Sequence, residues 1–444
     1  MKLPGFLKHP LVPLVFSVLL TLPWIYLNLT GNAKALGNLP TVGVAGLSIL
    51  GAAFLLTWAA ETAEKDVPRS FALAVLAIIA VAPEYAVDAF YAWQAGANPG
   101  SAASMEAAGL AVANMTGANR ILIGLGWSGI AIYSIYRLTQ AKSGLVEQNE
   151  GFLNDKVKLT QDISLEIFFL AIATLYAFFV PLNGALDVID MVILVGIYFV
   201  YIFFALQSPP EEEEAIGVPG YLQSLAAWKR IPAIILLFLF SAIVILVAVE
   251  PFARGLEHLG MELGVSKFFM IQWVAPLASE TPELIVVAYL VNKARSTAAF
   301  QALISSKLNQ WMLLIGTLVV VYSISLGTYG QLPLDHRQMG EIWITAAKSF
   351  FAVAILVNFK ISMREALALL ILFIVQLHPW FHHYEALLGF SALYMVLGTV
   401  LLLMRLDSIQ SLFGMVIEEH FWMDIETGMD NELETDADTT DETE

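Results

Sequence analysis

Apolar runs of roughly 18 residues or more recur along the whole chain, separated by short polar stretches. That length suits a helix crossing a bilayer, and the runs lack the two-residue alternation of a membrane barrel. They predict twelve spans at about 11–29, 41–60, 70–95, 106–137, 164–181, 184–207, 231–250, 268–291, 297–322, 340–358, 363–378 and 384–404. The fourth is too long for one plain crossing, so it is tilted, broken or extended beyond the membrane. The pattern is that of an all-α polytopic membrane protein.

Composition agrees. The chain is 58% hydrophobic and 14% charged, where a soluble domain carries about a quarter charged residues. It has no cysteine, which excludes disulfides, thiolate metal sites and cysteine nucleophiles. The net charge of −17 mostly reflects the C-terminal end, where 13 acidic residues and no lysine or arginine follow Arg405. Residues 406–444 are expected to be an acidic disordered tail, and 208–230, with Glu211 to Glu214, an acidic cytoplasmic loop.

The basic residues orient the spans. Fifteen fall in alternate loops, from Lys2 and Lys8 through Lys65, Arg137, Arg230, Lys293 and Lys360 to Arg405. The opposite loops hold four: Lys34, Arg254, Lys267 and Arg337. Both termini should therefore be cytoplasmic, and the short loops suit a bacterial-type inner membrane. Lys2 and Lys8 ahead of the first apolar segment could also belong to a cleaved signal peptide, but the segment is long for one. Arg120, Lys307 and Lys348 remain inside spans; Lys348 has no motif around it and calls for an acidic partner.

One span carries "LASETPELIVVAYLV", Leu277 to Val291, with Glu280 and Glu283 on either side of Pro282. A carboxylate at mid-bilayer costs roughly 2.5–3.5 kcal/mol on insertion scales, and proline removes a backbone donor as well. The stretch has a counterpart: "APEYAVDAFYAW", Ala82 to Trp93, lies on "TPELIVVAYLVN", Thr281 to Asn292, with Glu84 on Glu283. The helices that follow also correspond, residues 111–126 on 301–316, which places Asn119 on Asn309. By the charge count Glu84 lies on a span running outward and Glu283 on one running inward, so the repeat is inverted. Such transporters place their site near the midplane, between interrupted helices.

Glu280 and Glu283 share a helix face, as do Glu84 and Asp88 one turn apart. The four carboxylates outnumber local basic partners, and an inorganic cation neutralises them most economically. Carboxylate, carbonyl and amide oxygens are the ligands of hard cations such as Ca²⁺ and Na⁺.

On these residues the chain resembles the cation/Ca²⁺ exchanger superfamily, which includes the Na⁺/Ca²⁺ exchangers. The resemblance covers Ala80 to Gly126 and Ala278 to Gly316. It implies two inverted repeats of about five helices each, with flanking helices outside the core. The chain then divides into an extra helix within 1–40, a first repeat at 41–207, the loop at 208–230, a second repeat at 231–378, an extra helix at 379–405 and the tail at 406–444. The resemblance also implies that Glu84 and Glu283 are the paired cation-binding glutamates. Asn119, Asn309, Ser279, Ser305 and Ser306 would be further ligands. The first repeat departs from the family pattern with Ala80-Val81 in place of two hydroxyl residues, and the second with Glu280 in place of a serine. Arg120 and Lys307 bring fixed positive charge beside the site, as stand-ins for Na⁺ or as partners of Asp88 and Glu280.

The expected function is secondary cation antiport by alternating access, Ca²⁺ exchanged for Na⁺ or H⁺; the alternative is Na⁺/H⁺ exchange without Ca²⁺. A passive channel fits broken inverted helices less well. An intramembrane enzyme lacks a motif, since neither HExxH nor Gly-x-Ser-x-Gly occurs. The expected partners are the lipid bilayer and inorganic cations, with no cofactor and no nucleic acid.

Overall fold

The structure, a computed structural model, describes residues 9–63, 65–66, 82–140, 144–207, 215 and 217–418. The first half holds α1 (Leu11–Leu29), α2 (Asn38–Ala63), α3 (Ala82–Ala97), α4 (Ala102–Ile121), α5 (Ser128–Gln140), α6 (Ser164–Ala177) and α7 (Val188–Gln207). The second holds α8 (Ala227–Glu262), α9 (Ala275–Asn292), α10 (Ser296–Leu308), α11 (Ile315–Leu326), α12 (His336–Leu356), α13 (Met363–Gln376), α14 (Tyr384–Leu403) and α15 (Leu406–Ile417). Three π-helical turns interrupt this series: Leu122–Trp127 joins α4 to α5, Met270–Val274 leads into α9, and Asn309–Leu314 joins α10 to α11. Inserted π turns of this kind recur at functional sites.

Among the described residues nine helical runs are long and apolar enough to cross a bilayer, and a tenth is bent. The other two expected spans fall on α3 and on α13, which is 14 residues long. The long fourth span is one run, Ala102–Gln140, interrupted by the first π turn. Residues 67–81, 208–214 and 419–444 lie outside the described residues, so the hydroxyl-for-Ala80-Val81 difference and the distal acidic tail receive no structural account. Two sequence readings change. The tail does not begin at 406, because Leu406–Ile417 is a helix. The loop at 208–230 contains a short helix, Val218–Gln223, and gives way to α8 at Ala227.

The surface is inverted relative to a soluble protein. Leu236, Leu239, Ile243 and Leu246 form one stripe along α8 and are 59–70% exposed. Asp88, Asn119, Arg120, Glu280, Lys307 and Lys348 are buried inside. Apolar residues facing out and charge facing in is what a hydrocarbon solvent selects.

Helices from the two halves interleave. α2 packs between α1 and α8; α3 lies on α4 and α11; α9 touches α2, α4 and α5; α12 runs against α4, α6 and α14. Small residues permit the closest approaches. At Gly117 on α4, a Cβ would stand 1.8 Å from the Gln272 carbonyl oxygen in the turn before α9. Gly117→Ala must therefore push the repeats apart, at an overpacking cost of about 1–3 kcal/mol. Its melting temperature in detergent is expected to fall, and an unchanged value would show that this contact can yield.

Five short strands occur among the described residues: β1 (Val146–Glu147), β2 (Lys156–Lys158), β3 (Ala185–Leu186), β4 (Leu332–Pro333) and β5 (Lys360–Ser362). β1, β2 and β5 form an antiparallel sheet with Val157 opposite both Val146 and Ile361. The Lys360 and Lys158 ammonium groups flank Glu147 there and hold its carboxyl below the ordinary carboxylate range. β3 pairs with β4, Leu186 opposite Leu332. The loops carrying the two sheets lie at opposite ends of α6 and of α12.

Candidate cation site

Proline shapes the second-repeat arm of the site. The run Lys267–Thr281 and the segment Glu283–Asn292 meet at an angle of 48°. Pro282 has no N–H to offer the carbonyl four residues back, on Ala278, and the Thr281 hydroxyl donates to Leu277. Glu280 and Glu283 stand immediately before and after this bend. Glu280 is fully buried and Glu283 half-buried. In the first repeat Glu84 lies in the first turn of α3 with Asp88 one turn on, both buried.

The structure brings these acids together from both repeats. Glu84 lies within electrostatic range of Glu283 and Asp88, and Ser279 lies against its carboxyl. Glu280 is within range of both Glu84 and Glu283. Two amides hold one oxygen each: Asn114 Nδ2 donates to Asp88 Oδ1 at 2.9 Å, and Gln310 Nε2 donates to Glu280 Oε1 at 2.5 Å. Ser306 sits beside Glu283 but closes no hydrogen bond. Among the described residues no three histidine or acidic side chains close tightly enough to form a metal cage.

The oxygens left over fit a cation. Asp88 Oδ2, Glu280 Oε2, Asn114 Oδ1, Asn309 Oδ1 and Gln310 Oε1 are buried acceptors without a hydrogen-bond donor. Buried polar atoms are paired as a rule, so unpaired oxygens on Asp88, Glu280 and the two amides that hold them mark a place for a group absent from the protein itself. Carboxylate and amide oxygens suit Ca²⁺ and other hard cations, which would pass through as substrate.

The basic residues depart from the sequence reading. Arg120 does not pair with Asp88 or Glu280. It makes a buried ion pair with Glu341 on α12, donates to the Thr116 carbonyl and stacks over Trp273 at 4.7 Å. Lys348 finds a backbone carbonyl rather than an acid, donating to Arg120 O at 2.9 Å, with its ammonium 4.3 Å from the Phe373 ring centroid. Lys307 has Glu280 within electrostatic range but donates to Asn119 Oδ1 at 3.0 Å. Asn119 is thereby occupied, since its Nδ2 donates to Met115 O at 2.9 Å. Ser305 faces Tyr201 on α7 rather than the carboxylates. Asp187 and Asp190, at a span end, are buried; Asp190 accepts from the Tyr176 hydroxyl at 2.9 Å.

Asn114 and Gln310 were not singled out from the sequence. Gln310 was within reach of the repeat alignment, which sets it on Arg120 and next to Asn309. Asn114 falls opposite Ile304 and has no such signal.

The chain matches the family model described as "Sodium/calcium exchanger protein" over residues 39–207 and 233–378. It is 45% identical to a crystallised H⁺/Ca²⁺ exchanger, CAX, covering 91% of this chain and 97% of that one, with a TM-score of 0.82. The solved structure of native YfkE is 13% identical over 82% of this chain and 99% of that one, at a TM-score of 0.56, a likeness of fold. No curated protein matches significantly.

Proposed function

This chain belongs to the sodium/calcium exchanger protein family, and from that premise we propose that it is a secondary active antiporter exchanging Ca²⁺ for H⁺. The observation that carries the reading is the convergence of Glu84, Glu280 and Glu283 from two inverted repeats on one buried region, beside unpartnered oxygens. The choice of H⁺ over Na⁺ is supported by the 45% identity to an H⁺/Ca²⁺ exchanger.

Electrostatics then explains why the two ions alternate. Several carboxylates sharing a buried region cannot all stay ionised and unpaired, because each uncompensated buried charge costs several kcal/mol. Either Ca²⁺ or protons satisfy them, and each displaces the other. A site that is costly when empty and that holds one ion or the other is an obligate exchanger. Glu84 and Glu283 serve as the principal Ca²⁺ ligands and proton acceptors. Glu280, Asp88, Asn309, Ser279 and Ser306 complete the lining, and Asn114 and Gln310 orient the acids. This is transport rather than enzymatic chemistry. The positive-inside distribution supports cytoplasmic termini, and the short loops suit a bacterial-type inner membrane, where the partners are lipid and inorganic cations.

The test is Ca²⁺ uptake into proteoliposomes under an imposed pH gradient, with a Na⁺ gradient as the second arm. Uptake driven by the pH gradient is the expected result. Proton movement driven by Na⁺, without Ca²⁺ flux, would overturn it in favour of monovalent exchange.

A further inference from the structure

The repeats place an asparagine at matching points, Asn119 and Asn309, but their surroundings differ. Both polar atoms of the Asn119 carboxamide are engaged, Nδ2 by the Met115 carbonyl and Oδ1 by Lys307. Asn309 Oδ1 is buried without a hydrogen-bond donor. The alignment of 111–126 on 301–316 puts Gly117 where the second repeat has Lys307. No reciprocal lysine could fit there, because the smallest side-chain atom at Gly117 would strike the Gln272 carbonyl. One amide position therefore receives the lysine Nζ from the opposite repeat, while its counterpart, which faces Tyr198 on α7, keeps an unpaired oxygen.

The surroundings of Lys307 define what that amine does. It is fully buried, with its Nζ 4.9 Å from the Trp311 ring centroid. The acid in range is Glu280, whose Oε2 has no hydrogen-bond partner. The other charge facing it is Lys348 from α12. Lys307 thus places its Nζ on an amide oxygen beside a carboxylate, the oxygen environment that a hard monovalent cation seeks.

We propose that the Lys307 amine takes the place of a monovalent cation at Asn119, so that ions exchange at the Asn309 half and transport proceeds without Na⁺. This deepens the Ca²⁺/H⁺ reading and rests on it for the flux assay. Na⁺ is then excluded by occupancy rather than by size.

Lys307→Met keeps an unbranched side chain, one atom shorter, and removes the amine. Two measurements compare it with the wild type in Na⁺ and in choline. The first is pH-driven Ca²⁺ uptake in proteoliposomes, with equal Na⁺ on both sides. Wild-type uptake is expected to ignore Na⁺, while Lys307→Met is slow in choline and severalfold faster in Na⁺. The second is the melting temperature of the detergent-solubilised protein, which needs no transport: Na⁺ should raise it in Lys307→Met and leave the wild type unchanged. A variant blind to Na⁺ in both assays would overturn the proposal. So would Na⁺ stimulation of the wild type, which can be read even if the variant does not fold. Absence of pH-driven Ca²⁺ uptake by the wild type would instead remove the antiport reading, and the melting experiment would still decide the role of Lys307.

Discussion

Glu283→Gln is expected to reduce Ca²⁺ flux in proteoliposomes to background while the protein still folds and inserts. The change is isosteric, so the bend at Pro282 and the packing of α9 are kept. What it removes is the half-buried charge within range of Glu84 and Glu280. Truncating one partner of a buried charge pair costs about 2–5 kcal/mol, which is about 30-fold or more in binding. In the ion-free protein the same change relieves repulsion between like charges, so stability should hold or rise, as is common where function requires a strained site. A melting curve taken with and without Ca²⁺ separates the effects. Ca²⁺ should raise the wild-type midpoint by mass action and leave that of Glu283→Gln unmoved. Flux at the wild-type level in this variant would remove Glu283 from the site.

The second large effect is expected away from the carboxylates. Glu341→Leu leaves Arg120 buried without its counter-charge, with the Lys348 ammonium on its backbone carbonyl. Breaking a buried pair in this way costs about 3–5 kcal/mol, whereas replacing both partners by apolar residues is often close to neutral. The single variant should melt far lower than the wild type in detergent, and the double variant Arg120→Leu, Glu341→Leu should recover most of the loss. Equal melting of single and double variants would show that Arg120 does not depend on Glu341.

These two predictions mark how far the sequence could be read. Glu84, Glu280 and Glu283 were legible because membrane burial makes a carboxylate costly and the Pro-Glu pattern occurs twice in opposite senses. Their convergence is what an inverted repeat requires. The partner of Arg120 was not legible. Glu341 lies 221 positions away at the edge of an apolar run, where an acid looks interfacial. Lys348 was sought an acidic partner, but it bonds a carbonyl just ahead of a π turn, and backbone acceptors leave no trace in a residue pattern. The helix Leu406–Ile417 was hidden by the acidic count that begins in the same region, and strands of two or three residues are too short to show a period.

Those strands set a mechanical boundary. β1 and β2, between α5 and α6, are stitched to β5 beyond α12; β3, beyond α6, is stitched to β4 ahead of α12. α6 and α12 are therefore fastened to each other at both ends, like the uprights of a window frame, and neither can slide lengthwise past the other without unpicking backbone hydrogen bonds. α1, α2 and α8 have no strand at either end among the described residues. If the acids are to face first one side and then the other, that movement cannot be a sliding of α6 past α12.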